Sequence, residues 1–472
     1  MISVKNNGGG ISTDRNKRPV VTELRRNTAT RDKIEITYKV NDEELTICRH
    51  YLTVRTTSAI VINKKEITRD VGYESPSNVF RYLIEGLIED TTYTIQITCS
   101  DGLDEGVSEA IQVQTGGALS YTLYIDESNS NPANMIRYAG DYGASNWGNW
   151  QNKWPFNKIR LVGLKEGRET KEIDPTNKKQ YTDGSPVPAD VDVMVRIPKI
   201  YYGFEKTGGG YNIKISDKKI SGTDCFAHKL LGQEKDNIHI GAYLACEEGG
   251  KLRSKSGVLP ITIDGRMLEH FRRYAQYCGY GYQQWNVRML ELLRVLFLLV
   301  YKNMNSQQAL GFGRFGEKSL TGGLDDAGYC YGAQNQAIQV CFLGIEDIWG
   351  NYSQVIDGLK VENNTISIVS DNYDFDNSYE TIGQANSNVA NGSGFVKNVM
   401  GTSKGGFFPA DLGGTSTTYY CDIGGFRGNT FFASGGVGID SRHIDRLGIF
   451  AMDGLESITD RTRVSTRLCY FG

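Results

Sequence analysis

The 472 residues carry 52 Lys and Arg against 55 Asp and Glu, a formal net charge of −3 at pH 7 with the two signs interspersed. That balance supplies no extended basic surface, so neither nucleic acid nor an anionic membrane is expected as a partner. Glycine, at 55 residues, and 27 tyrosines against 18 phenylalanines indicate a loop-rich, largely β chain, long enough for several domains.

The nine cysteines are scattered without any Cys-x-x-Cys. Buried free thiols are therefore expected in place of a disulfide framework or a zinc site, and no metal or cofactor is expected. The first residues lack the apolar core of a signal peptide. The longest apolar run, 292–301, is broken by Arg294 and too short to cross a bilayer, so the expectation is synthesis in the cytoplasm without membrane insertion.

Residues 1–18 are polar and rich in Gly and Asn, then basic at Arg15, Lys17 and Arg18. Such a stretch is either disordered or an arm that folds against a partner. From 19 to 116 short strands recur. Ile34, Ile36, Tyr38 and Val40 alternate with polar residues; Tyr51–Val54, Ile60–Ile62 and Tyr82–Leu87 read as further strands; Tyr93, Ile95 and Ile97 alternate again, and Ser108–Thr115 closes a small antiparallel sandwich. The run Leu87-Ile-Glu-Asp-Thr-Thr-Tyr93-Thr-Ile-Gln-Ile resembles the fibronectin type III signature, in which a tyrosine hydroxyl ties a strand to the preceding turn. The resemblance implies a spacer module.

Gly116-Gly117 reads as a linker, followed by a β-rich connecting region over 118–190. Its aromatic cluster, Trp147, Trp150, Trp154 and Phe156, is either a sugar-stacking platform or a small core, and the core reading is preferred because tryptophan buries so much area. Asp192-Val-Met-Val-Arg-Ile-Pro-Lys-Ile-Tyr-Tyr202 reads as a strong strand with Pro198 at a bulge or edge. Ile238–Tyr243 is another. Two helices follow, over 265–278 and from a cap at Asn286 to Tyr301; the second is apolar nearly all round and should be buried. Gly311-Phe-Gly-Arg-Phe-Gly316 matches Gly-x-Gly-x-x-Gly, but a helix precedes it and polar sequence follows, and Glu317 stands where a P-loop needs Lys; both nucleotide readings are rejected. Asp325-Asp326 reads as a turn. Asp371, Asp374 and Asp376 have the oxygens for calcium but not the spacing of an EF-hand, so they read as solvated turn residues.

The most informative stretch is 341–359. Trp349 is followed by Gly350 and Asn351, between apolar Phe342, Leu343, Ile345 and Ile348 on one side and Val355, Ile356 and Leu359 on the other. This is a turn pinned into a core. Gly344, Ile345, Glu346, Asp347, Trp349, Gly350, Asn351, Asp357 and Gly358 resemble the central segment of C-type lectin-like domains of the formylglycine-generating-enzyme type, particularly those of bacteriophage tail fibres. Ile-Pro-Lys-Ile-Tyr-Tyr at 197–202, Gly424-Gly-Phe-Arg-Gly, Leu447-Gly-Ile-Phe-Ala-Met and Ser465-Thr-Arg-Leu-Cys-Tyr470 extend the likeness.

The resemblance implies an α+β C-terminal domain of C-type lectin-like fold over 191–472 behind a fibronectin type III-like sandwich, in a phage tail fibre or phage-tail-like particle. Its fold-defining residues would be Gly344, Glu346, Trp349, Gly350 and Asn351. Its exposed ligand-contacting face would draw on Arg427, Asn429, Phe431, Arg442, His443, Asp445, Met452, Asp453, Glu456, Asp460 and Arg461. The implied partners are a bacterial cell-surface receptor, glycan or protein, and other tail or baseplate proteins through the N-terminal arm, within a homotrimer of the virion tail assembled in the host cytoplasm. The cysteine pair of the enzyme that names the fold type is not matched, since Cys421 and Cys469 lie 48 positions apart, and His443 beside Asp440 and Asp445 lacks a nucleophile; no enzyme activity is expected. The rival readings are a baseplate adaptor and an envelope glycan hydrolase.

Overall fold

Alternation of apolar and polar residues sets the first strand pairs. A computed structural model describes residues 17–29, 32–42, 48–72, 77–88, 91–116, 119–140, 147–264, 268–314, 318–369, 378–427, 432–435, 448–454 and 461–472. The chain is mainly β and divides into two compact units, Met1–Leu119 and Ser120–Gly472.

In the first unit, strands Val20–Ala29, Ile34–Asn41 and Val79–Ile84 form one antiparallel sheet. Arg49–Arg55, Ile60–Glu66, Thr92–Ser100 and Glu105–Val107 form a second, with Ile111–Gln114 also paired to Thr92–Ser100. Ile34, Ile36 and Tyr38 from one sheet and Ile95, Ile97 and Cys99 from the other meet in a single core. The strand expected at 82–87 is shifted to 79–84, and Leu87 packs into the core from the turn beyond it. That turn is held by Tyr93: the Ile88 N–H donates to its hydroxyl at 2.7 Å, and the hydroxyl donates back to the Ile88 carbonyl at 3.3 Å. Most of the arm, residues 1–16, lies outside the described residues.

In the second unit a four-stranded sheet runs in the order Ile136–Gly140, Ser120–Asp126, Gly210–Ser216, Tyr201–Thr207. A six-stranded sheet runs Arg168–Glu172, Arg160–Lys165, Asp192–Pro198, Asn237–Gly241, Leu468–Phe471, Tyr282–Gln284. The expected connecting region 118–190 is thus woven into the same unit, because two of its strands pair with strands beyond residue 191. The stretch 192–202 is also two strands, not one. Asp192–Pro198 belongs to the six-stranded sheet and Tyr201–Thr207 to the four-stranded one, with Pro198 as the last residue of its strand. Pairing to Arg160–Lys165 begins only at Arg196, so the missing N–H of Pro198 leaves that ladder intact.

Helix α1 (Leu268–Gln276) is followed by α2 (Val287–Tyr301). Asn286 caps α2, its side-chain oxygen accepting from the Met289 N–H at 3.0 Å. Residues 287–299 of α2 are all buried, charged ones included. A seven-stranded sheet runs Gly405–Leu412, Gly394–Thr402, Ile423–Gly425, Met452–Gly454, Phe432–Ser434, Ser353–Ile356, Val464–Ser465. The chain passes directly from this sheet at Val464–Ser465 into the six-stranded one at Leu468–Phe471, so Arg467 stands where the two sheets join.

The tryptophan cluster packs as a small core among its described members. The Trp150 ring meets Phe156 edge-on at 5.0 Å, and Tyr121 lies against Trp154 and donates its hydroxyl to the Trp154 carbonyl. The side chain of Trp147 lies outside the described residues, as do Asp371, Asp374 and Asp376.

Candidate functional site

The segment 341–359 is the hub of the second unit. Trp349 is fully buried and donates its indole N–H to the Gly311 carbonyl at 3.0 Å. Gly313 has φ +80, and a Cβ there would sit 2.9 Å from the Trp349 ring. The glycine pattern rejected as a nucleotide site is, in part, the seat of this indole. Gly350 has φ +76, and a Cβ on it would come within 2.8 Å of the Arg314 backbone; only glycine fits.

Beneath the turn lies a buried polar frame. Glu346 accepts from the Gly322 N–H at 2.9 Å and the Leu324 N–H at 2.8 Å, fixing the 322–324 loop. Asp347 accepts from Gln339 at 2.9 Å and Asn351 at 2.7 Å. The Arg467 guanidinium, fully buried, points at neither carboxylate but at backbone. It donates to the carbonyls of Gly241 at 3.2 Å and Asp347 at 2.9 Å, to that of Glu346, and to the Gln354 side chain at 2.6 Å. One side chain thus links the six-stranded sheet, the central turn and the seven-stranded sheet. Burial lifts the Asp347 carboxyl to about 6, and burial with the neighbouring Asp347 charge lifts Glu346 to about 7. The sequence placed Glu346 and Arg467 in the likeness but gave no role to Arg467, Gln354 or Gln339, whose roles arise from pairings distant in the chain. Asp325, read as a turn residue, is tied down too: it accepts from Ser256 at 2.6 Å and from the Tyr243 hydroxyl.

Of the expected contact face, Arg427 and Asp453 are described, and their backbones run on neighbouring paired strands or just beyond them. Arg427 is exposed, and its carbonyl lies 2.2 Å from where a Cβ on Gly454 would be, so Gly454 lets that chain pass. Asp453 is half-buried and accepts from Ser393 at 3.1 Å. Met452 is a correction: it is 0% exposed. In strand Met452–Gly454 side chains alternate, and 452 points into the core while 453 points out. Asn429, Phe431, Arg442, His443, Asp445, Glu456 and Asp460 lie outside the described residues, as does the side chain of Arg461.

For chemistry, Cys421 and Cys469 are both buried, and burial holds both thiols above their ordinary range, which disfavours a thiolate nucleophile. Asp224, Cys225 and Glu234 lie close enough to share a metal ion. The Lys229 ammonium, however, sits 2.7 Å from Asp224, and the Tyr201 hydroxyl donates to Glu234 at 2.6 Å, so the cluster already holds a cation and a donor. Compared with known proteins, the chain matches no family model and no curated protein.

Proposed function

We propose that this chain is the receptor-binding protein of a bacteriophage tail fibre or a phage-tail-like particle, a homotrimer with a fibronectin type III-like spacer and a C-type lectin-like domain that recognises a bacterial surface receptor. The observation that carries the reading is where the likeness at 344–358 falls. Gly344, Glu346, Trp349, Gly350 and Asn351 are buried and held by backbone geometry or hydrogen bonds, so the shared residues are framework residues. Recognition by such a domain needs a rigid base under a changeable surface, and a frame of buried, hydrogen-bonded polar groups supplies rigidity. The Tyr93 tie supports the spacer reading in the same way.

The test is adsorption of the full chain to a panel of bacterial strains, beside a variant with His443, Asp453 and Glu456 changed to alanine. Strain-selective adsorption lost in the variant, with circular dichroism unchanged, is the expected result. A folded trimer that adsorbs to no strain, and instead binds purified tail or baseplate proteins, would replace this reading with that of an adaptor.

A further inference from the structure

We infer that a cleft in the second unit, separate in sequence from the C-terminal face, is a subsite for a neutral saccharide; the inference rests on the receptor-binding reading and names its ligand class. The cleft, about 780 Å³, is walled by three segments, a loop at 130–133, a short helix with its cap at 305–308 and a loop at 416–418, with Phe312 and Gln334 completing it. Its volume falls in the range of small-ligand sites, about 300–1,000 Å³.

No described residue that lines it is charged. Two other cavities differ in this respect. A second cavity of similar size, about 730 Å³, is lined by Glu127, Lys206, Lys397 and Asp411 among others, and a third, about 460 Å³, by Lys178, Lys179, Glu248 and Lys255. In the uncharged cleft the polar groups are amides and hydroxyls, from Asn131, Gln307, Gln308, Gln334, Ser416 and Thr417. Such groups both donate and accept, as the hydroxyls of a sugar do. An anionic ligand would find no cation to offset its desolvation, and an apolar one would strand the amides. Phe312, half-buried, adds one aromatic face to pack against a sugar ring.

The walls are also fixed relative to one another. Tyr419 N–H donates to the Ser130 carbonyl at 2.9 Å, joining the first loop to the third. Met304 N–H donates to the Pro132 carbonyl at 3.1 Å, joining the first to the second. The Asn305 side chain donates to the Ser416 carbonyl at 3.2 Å, joining the second to the third. Phe312 N–H donates to the Ala333 carbonyl at 3.2 Å, which holds Gln334 at the rim. A ligand therefore meets a preformed site and loses little affinity to ordering of the walls.

The test is saturation-transfer NMR on the full chain with glucose, galactose, mannose, rhamnose, N-acetylglucosamine and N-acetylgalactosamine, and with glucuronate as the anionic probe. The variant is Gln308→Ala/Thr417→Ala, two exposed positions whose truncation leaves the fold in place. At least one neutral sugar should bind, and its affinity should fall about tenfold in the variant, the consequence of losing two uncharged hydrogen bonds. Transfer to none of the neutral sugars, preference for glucuronate, or equal binding by the variant overturns the proposal. Strain adsorption measured on the same samples separates the two readings. Adsorption without sugar binding sinks the cleft alone, and sugar binding through the cleft without adsorption sinks the receptor role alone.

Discussion

Arg467 carries its charge where no side of the guanidinium faces water, and backbone carbonyls answer most of its donors. Burial pulls its pKa down to about 10, so it stays a cation throughout the range in which its acidic neighbours titrate. Those neighbours respond to pH in an unusual direction. Unfolded, Asp347 and Glu346 titrate near about 4; folded, burial holds them at about 6 and about 7. Between those values the folded chain binds more protons than the unfolded one, so their contribution to stability is full below about 4 and lost as pH rises through about 7. Asp347→Asn tests this. Oδ2 of Asp347 accepts from Gln339 and Asn351, Oδ1 has no donor among the described residues, and φ is +51, a conformation asparagine tolerates well. The amide keeps the accepted bonds and removes a buried charge. The variant should gain about 1–2 kcal/mol over the parent at pH 8 and little at pH 5, read from urea midpoints at the two values. A variant more destabilised at pH 8 than at pH 5 would show that Arg467 holds Asp347 ionised in the fold.

Helix α2 and the turn at 349–351 show what an element's own sequence reveals. The Asn286 cap and the all-round burial of α2 were legible, because capping chemistry and apolar density are local properties. The stripe Arg288, Glu291, Arg294 was not. These side chains are satisfied by carbonyls of Val369, Ile449, Phe407 and Ala451 and by the Tyr202 hydroxyl, all brought in by tertiary pairing. The break within 192–202 was hidden for a related reason: apolar residues continue across Pro198, and only the partners change from one sheet to the other. At Gly350 the local signal and the tertiary one agree. Gly350→Ala forces a Cβ to 2.8 Å from Arg314 N and O at a φ of +76, and neither contact is a flexible side chain that can yield. A loss of about 3 kcal/mol or more is expected in chemical denaturation, with near-ultraviolet circular dichroism reporting the displaced Trp349. A loss below about 1 kcal/mol would mean that the 311–314 loop moves aside, and that the indole seat is not rigid.

At the scale of the molecule, the buried framework around Trp349 was readable in the sequence, because a core is specified by apolar spacing and backbone geometry, whereas a surface is specified by which loops meet. Met452 shows the difference: its place in the motif suggested the face, but strand alternation turned it inward. The walls of the uncharged cleft come from stretches separated by more than a hundred residues, and no local pattern announces them. The division into units has a thermodynamic consequence. Among the described residues, every buried member of the first unit's core lies between Val21 and Val113, and every buried member of the α1 core of the second lies between Val162 and Leu468. Two cores that share no residue should melt as two cooperative transitions in calorimetry, and each should answer only to its own substitutions. Tyr93→Phe removes the hydroxyl that both accepts from and donates to Ile88, at a cost of about 1–2 kcal/mol to the first unit. It should lower one transition and leave the other in place, while Gly350→Ala should do the reverse. A single transition, lowered alike by both substitutions, would mean that the stability of each unit depends on the other and that the first is not an autonomous spacer.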